Sequence, residues 1–334
     1  MTVSRCSLFL LAALAVGCGS SDEAAPPAPS TPGGEAELRV DFGVDPVAKV
    51  LRLGALNGES GPAAAIGVPY ANGKRVLAAQ VNAGGSGILP VGWTVELVER
   101  DHGYNPQQSV QAYKEIKDEV LFVATSFGTP NTLPLVPMLR TDGMLVFPAS
   151  LSSQMAAEPH TPPAGPSYVV EAGRAMDWAV ESAGGTDAVK AGIVYQQDDY
   201  GKDGLNGWSA QAALHGVSVV AQQTVAPGQK DMTAVISALK DAGATHVLLT
   251  TLPSATGPIL GTAAQLQYAP VWIGNTPAWI DGFFRPDVIP PAVFATYHQV
   301  LGLPYWGEDV PGMDTFLAAF DKHKPEGARP DFYT

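Results

Sequence analysis

The chain has 334 residues, 46% of them hydrophobic and 15% charged, with 19 Lys and Arg against 32 Asp and Glu for a net charge of −13. This composition is that of a globular protein with length for two domains and a substantial core, and the acidic excess excludes nucleic acid as a partner, since that binding needs basic patches. The two cysteines, Cys6 and Cys18, leave everything beyond residue 18 without a disulfide, which a chain of this size does not need.

In chain order, residues 1–17 carry the marks of an export signal. Arg5 supplies positive charge, Leu8-Phe9-Leu10-Leu11-Ala12-Ala13-Leu14 an apolar run, and Ala15-Val16-Gly17 a small-residue cleavage site before Cys18. The apolar run falls short of the roughly twenty residues that cross a bilayer. Ala15-Val16-Gly17-Cys18 resembles the bacterial lipobox, in which the cysteine is lipidated and becomes the new N-terminus, although Ala15 stands where Leu is commoner. The alternative is a plain secretory signal with an incidental cysteine. The resemblance implies an exported protein, in the periplasm or at the cell surface, held to the membrane by acyl chains on Cys18. Gly19 to Ala36 is Ser, Ala, Pro and Gly with a few acids and reads as a flexible tether. Residues 18–46 are thus expected to be a lipid-anchored tether ahead of a folded body that starts near Val47.

Strand and helix signals then alternate. Val50 to Leu56 predicts a strand, Tyr70 to Asn82 a helix, Thr94 to Glu99 a strand, Gln107 to Asp118 a helix and Leu121 to Thr125 a strand. Pro130 to Leu139 predicts a helix with Thr129 as N-cap and Pro130 at its first position. Met144 to Phe147 follows as a strand. After the Pro-rich passage His160 to Pro166 come a helix through Ala175, Trp178 and Ala179, strand Ala191 to Tyr195 and helix Lys202 to Leu214. Strand Val217 to Val220, helix Met232 to Leu239, strand His246 to Thr250, helix Pro258 to Leu266 and strand Val271 to Gly274 complete the series. Such alternation predicts an α/β fold of doubly wound parallel sheets, and the break near residues 160–167 predicts two of them. Ligands of open α/β sheets bind beyond the carboxyl ends of the strands.

Enzyme and cofactor signatures fail. No G-x-G-x-x-G follows a strand and no G-x-S-x-G elbow exists. Gly67 to Lys74 has one residue too many for a P-loop and Arg75 where Ser or Thr should stand, so a helix without a phosphate role is expected. None of His102, His160, His215, His246, His298 and His323 is paired at metal-ligand spacing, and no carboxylates pair for acid/base work. No cofactor, no metal and no enzyme activity are expected.

Five post-strand motifs in order are similar to one family. They are Leu53-Gly54-Ala55-Leu56 with Ser60 to Gly67, Val81-Asn82-Ala83-Gly84-Gly85, Asp101 to Pro106, Ser126-Phe127-Gly128-Thr129-Pro130-Asn131-Thr132, and Gln196-Gln197-Asp198-Asp199-Tyr200-Gly201-Lys202-Asp203. Together they resemble the type I periplasmic binding proteins, and within them the amino-acid and amide receptors of ABC importers, from about Val50 to the C-terminus. The resemblance implies two doubly wound lobes closing on a ligand: residues 47–163 and 275–334 as lobe one, 164–274 as lobe two. Family members continue with a further helix, a third crossing and more of lobe two, so a missing C-terminal part is expected.

The resemblance also implies a site. Thr129 matches the hydroxyl that meets the ligand carboxylate, with Asn131 as a further donor. A helix start at Pro130 would add its free N–H groups. Ala149, Ser150 and Ser152 match the next ligand loop, and Tyr200 the aromatic that closes from lobe two. Gln229 aligns where branched-chain receptors carry a Glu for the ligand ammonium, and Ile66 where they place an aromatic ring. An amide cannot supply that charge, so an amide, a carboxylate or a modified amino acid becomes plausible as ligand, unless Asp231 or Glu171 serves the ammonium. The implied function is a lipid-anchored solute-binding component that presents a small polar ligand to ABC permease subunits. The alternatives are a ligand-sensing receptor coupled to a signalling partner, and an enzyme that uses the cleft.

Overall fold

The computed structural model describes residues 41–84, 87–285, 288–289 and 291–334. The expected signal, Cys18 and the expected tether as far as residue 40 lie outside them; the tether's last residues, 41–46, hold a strand paired with the first sheet, so the folded body starts before Val47. Two sheets follow one another along the chain. The first holds β1 (Val44–Asp45), β2 (Val50–Asn57), β3 (Thr94–Asp101), β4 (Val123–Phe127) and β5 (Val146–Ala149). The order is β3-β2-β4-β5, all parallel, with the short β1 antiparallel along β2. The second holds β6 (Ala191–Gln196), β7 (Val219–Val225), β8 (His246–Thr250), β9 (Val271–Gly274) and β10 (Tyr297–Gln299). Its order is β7-β6-β8-β9-β10, parallel throughout.

In each sheet the chain leaves the first parallel strand to one side and then returns to its other side. That places a topological switch point, where ligands of such sheets bind, at the carboxyl ends of β2 and of β6. Residue alternation explains the helices on both faces. Ile193, Leu248 and Ile273 point to the helices Tyr168–Ser182 and Asp199–His215. Val194, Val247, Leu249 and Trp272 point the other way, to Thr233–Asp241 and Pro253–Gln265. Strand β8 is buried along its whole length, as a strand covered on both faces must be. In the first sheet, Leu56, Val123 and Val146 pack on Ala112, Tyr113 and Ile116 of helix Pro106–Ile116. Each such side chain stabilises by roughly 1.5–3 kcal/mol when fully buried.

Local signals set the helix ends. Asn105 caps Pro106–Ile116 by accepting from the Gln107 and Gln108 amides at 2.9 and 3.1 Å, with Pro106 at the first position. Asp198 caps Asp199–His215 through Gly201 N at 3.0 Å, and Gly216 ends it in the left-handed conformation.

Several expectations are corrected. The helix predicted from Tyr70 begins at Ala64, and the one predicted from Pro258 begins at Pro253. The single helix expected over Pro130–Leu139 is three helical turns in succession, Thr129–Thr132, Leu133–Leu135 and Val136–Asp142. Pro134 and Pro137 remove amide donors there, so the hydrogen-bond ladder cannot run through. Thr129 is not the N-cap; Gly128 is. Residues after 275 do not all return to the first sheet, because β10 pairs with β9 in the second. Helix Met313–His323 does return, laying Ala319 and Phe320 against Val76 of helix Ala64–Asn82. The P-loop-like stretch Gly67–Lys74 lies inside that last helix, and Lys74 is taken up by Asn57 and, at 3.5 Å, Glu99.

Candidate functional site

The carboxyl-end loops of both sheets converge on one cavity of about 260 Å³. From the first sheet come Ile66 and Tyr70 of the helix that follows β2, Tyr104 after β3, Phe127 to Thr129 at the end of β4, and Ala149 to Leu151 at the end of β5. From the second come Tyr200 after β6, Leu252 after β8 and Thr276 and Pro277 after β9, with Tyr168 at the start of its first helix. Leu303 and residues 332–334 complete the wall.

The loop after β4 is locked in place. Gly128 has φ +90°, and a Cβ there would stand 2.7 Å from the Tyr104 ring and 2.8 Å from Asn131 Nδ2, so the position requires glycine. Gly128 N donates to Ala149 O at 3.1 Å, and Asn131 N and Thr132 N donate back to Gly128 O at 3.2 and 3.0 Å. Asn131 Nδ2 donates to Phe127 O at 3.0 Å, and Ser109 Oγ donates to the Asn131 carbonyl at 2.9 Å. This bracing leaves the buried Thr129 hydroxyl 2.6 Å from Ser150 Oγ at the cavity wall.

The facing wall is aromatic and neutral. Tyr168 and Tyr200 meet edge to face, 4.8 Å between centroids. Tyr200 Oη donates to Asn275 Oδ1 at 2.7 Å. Burial pushes the Tyr104 and Tyr200 phenols well above their ordinary range, so both stay protonated donors. Behind Thr276 sits Glu171, whose carboxylate accepts from Thr276 N at 3.0 Å and Thr276 Oγ1 at 2.6 Å. Burial raises its pKa from 4.5 to about 7.

Side chains of the two halves also touch directly. Gln196 Nε2, at the end of β6, donates to Tyr104 Oη at 3.3 Å. Ser153 donates through N and Oγ to the two carboxylate oxygens of Asp203, at 2.7 and 2.6 Å. Asp203 belongs to helix Asp199–His215, whereas Ser153 follows β5.

Of the residues expected at a ligand site, Ile66, Thr129, Ala149, Ser150 and Tyr200 line this one cavity. Three others do not. Asn131 is fully buried and braces the loop. Ser152 is buried behind Ser150, its amide 3.4 Å from Ser150 Oγ. Gln229 closes its own loop, accepting from Ala226 N at 3.1 Å and donating to Asp231 O at 3.0 Å. The sequence reading missed Tyr70, Tyr104, Tyr168, Leu252 and Thr276. The carboxyl-end rule points to the last two, directly after β8 and β9, and to Tyr104, which sits at φ +62° in the turn after β3. Among the described residues, no group of three His, Cys, Asp or Glu could hold a metal ion, and no helix is long and apolar enough to cross a membrane.

Residues 50–334 match the family described as periplasmic binding protein. An "Amino acid binding protein" of Pseudomonas aeruginosa is 24% identical over 293 residues, covering 84% of this chain and 74% of the relative. Among solved structures, a fatty acid ABC transporter substrate-binding protein from Thermomonospora curvata superposes with a TM-score of 0.77 at 24% identity, over 86% of this chain and 72% of its own. A branched-chain amino acid ABC transporter protein from Thermus thermophilus with bound valine gives 0.71 at 20% identity, over 83% and 72%. A solute-binding protein from R. palustris in complex with 4-hydroxybenzoate gives 0.69 at 21%, over 84% and 74%. These structures share the two-sheet architecture. The family match spans both sheets and every loop that lines the cavity; the chain belongs to the type I periplasmic binding proteins.

Proposed function

We propose that this protein is the solute-binding component of an ABC importer, which captures a small amino acid, amide or carboxylate in the cavity and presents it to permease subunits. One observation carries the reading: a single cavity takes its walls from the carboxyl ends of both sheets, with a hydroxyl pair on one side and aromatic rings on the other. A ligand there touches both halves only when they face each other, so binding shifts the open–closed equilibrium toward the state a permease can recognise. Relatives named for fatty acid, valine, 4-hydroxybenzoate and amino acid binding support a small-solute role. Residues 47–163 with the chain after about 303 form one lobe, and 164–300, whose Trp279, Phe283 and Tyr297 pack with Val247 and Trp272, the other. Thr129, Ser150, Ala149, Ile66 and Tyr200 contact the ligand, while Asn131, Ser152 and Gln229 act from behind or outside it. Export and anchoring through Cys18 rest on residues 1–18 of the sequence, and membrane fractionation of Cys18→Ala tests them: protein that stays membrane-bound overturns the anchor.

A thermal-shift screen of amino acids, amides and small carboxylates tests the binding role. A ligand present at a hundred times its Kd adds about 2.7 kcal/mol of stability. At least one solute should raise the melting temperature by several degrees. A flat response across all three classes would count against the proposal.

A further inference from the structure

Whether the cavity can hold an α-ammonium group depends on where its acids point. Among the described residues that line it, none has an Asp, Glu, Lys or Arg side chain. The acids nearest the cleft are engaged elsewhere. Both Glu171 oxygens accept from Thr276, and both Asp203 oxygens accept from Ser153. Asp198 accepts from Gly201 N and from Gln196. The Gln229 amide is spent inside its own loop. Asp331, beside Phe332, accepts from the Asp281 and Tyr333 amides. An ammonium brought into this space would lose its water and gain no side-chain carboxylate among the described residues lining it, which is among the costliest outcomes in a protein interior.

The hydroxyl pair asks for the opposite group. Thr129 Oγ1 and Ser150 Oγ lie 2.6 Å apart and each carries one proton. Only one of the two protons can lie between them. The Tyr168 phenol is also in hydrogen-bonding reach of Ser150, so three hydroxyls share this end of the cavity, and a carboxylate oxygen takes such donors most strongly. Around the pair the walls are rings and aliphatic groups. Tyr70 and Tyr104 both pack on Phe127, with centroids 6.2 and 6.3 Å apart, and Leu252, from the loop after β8, packs in the same cluster. Such walls match an apolar body and reward its burial.

From these three features we infer that the ligand is an amine-free organic acid: one carboxylate held by the Thr129–Ser150 pair, carried on a compact aromatic or alkyl body. The inference rests on reading the cavity as the solute site and narrows it to one chemical class.

Matched acids that differ only in the amine give the test. Calorimetry on the whole exported protein compares 3-phenylpropanoate with phenylalanine, 4-methylpentanoate with leucine, and 3-methylbutanoate with valine. In at least one pair the amine-free acid should bind roughly a hundredfold more tightly than its amino analogue, because only the latter carries an unpaired charge into the cavity. Equal or tighter binding of leucine, valine or phenylalanine overturns the inference and leaves the solute-binding role standing. Binding by neither member of any pair overturns it too, and the broader screen then decides separately whether the solute-binding role survives.

Discussion

Glu171 shows how a single residue ties the cavity wall to the second sheet. Its carboxylate is the acceptor for both donors of Thr276, which opens the short 3₁₀ turn Thr276–Ala278 just after β9. Burial holds its proton on until about pH 7, against 4.5 for an ordinary glutamate. Between those values the folded state binds more protons than the unfolded chain, so stability falls as pH rises through the window. His102 acts in the opposite sense. Burial lowers its pKa from 6.5 to about 4, so the unfolded chain binds the extra proton there and stability rises with pH. Asp331, pushed up to about 6 by burial, works with Glu171. The net profile mixes all three, so the clean measurement is a difference. Glu171→Gln and the parent should melt at similar temperatures at pH 5, and the variant should gain on the parent by about 1–3 kcal/mol by pH 8. A gap between them that does not change with pH would show that Glu171 ionises in the folded protein as it does in water. Of the site residues, those in loops with glycine and proline marks were legible in the sequence: Gly128 and Pro130 frame Thr129, and Asp198 with Gly201 frames Tyr200. Tyr70 and Tyr168 were not, because an aromatic residue on a helix gives no sign of whether it faces a core or a cavity.

Among the elements, most strands stand within two residues of their expected bounds, but the one expected over Val217–Val220 is Val219–Val225, and several helix starts are further off. His246–Thr250 and Val271–Gly274 stand where the apolar runs place them, since a strand buried on both faces is a short continuous apolar run. The helix after β2 begins six residues earlier than its periodicity suggests, at Ala64 rather than Tyr70. Alanines carry little periodic signal, and the 3₁₀ turn Gly61–Ala63 feeds directly into the helix. Strand β10 and helix Met313–His323 lie beyond the series of signals that ends at Gly274, and the three residues of β10 are too few to carry an alternation. The pair Ser153–Asp203 joins a four-residue helix after β5 to the first helix after β6. An opening that separates these two helices breaks both hydrogen bonds. Hydrogen bonds to a charged acceptor are worth about 1.5–3 kcal/mol each, enough to set how often the closed state forms. Asp203→Ala should therefore weaken ligand binding at least about tenfold through a smaller closed fraction, although Asp203 does not line the cavity. Small-angle scattering should show a larger radius of gyration at subsaturating ligand. Parent-like affinity and scattering would show that this contact does not bias closure.

At the scale of the whole molecule, the two-lobe architecture was legible from strand–helix alternation and its break near residues 160–167. The cavity's character was not. Its walls come from loops and helices separated by up to some 270 residues of sequence, from Ile66 to Tyr333, and pattern along the chain does not report which side chains meet. The expectation drawn from Gln229, of an amide, a carboxylate or a modified amino acid as ligand, rests on a position that lies outside the cavity; the proposal of an amine-free acid rests instead on the absence of charged side chains among the described residues lining it. The central claim is that a small solute is held between the halves with its acceptor end on the hydroxyl pair. Thr129→Val keeps the side chain's shape and removes its hydroxyl, so calorimetry on this variant with the tightest solute from the screen tests the claim most directly. The account predicts binding weakened by roughly ten- to a hundredfold, with the melting temperature of the unliganded protein nearly unchanged. Affinity equal to the parent's would contradict it.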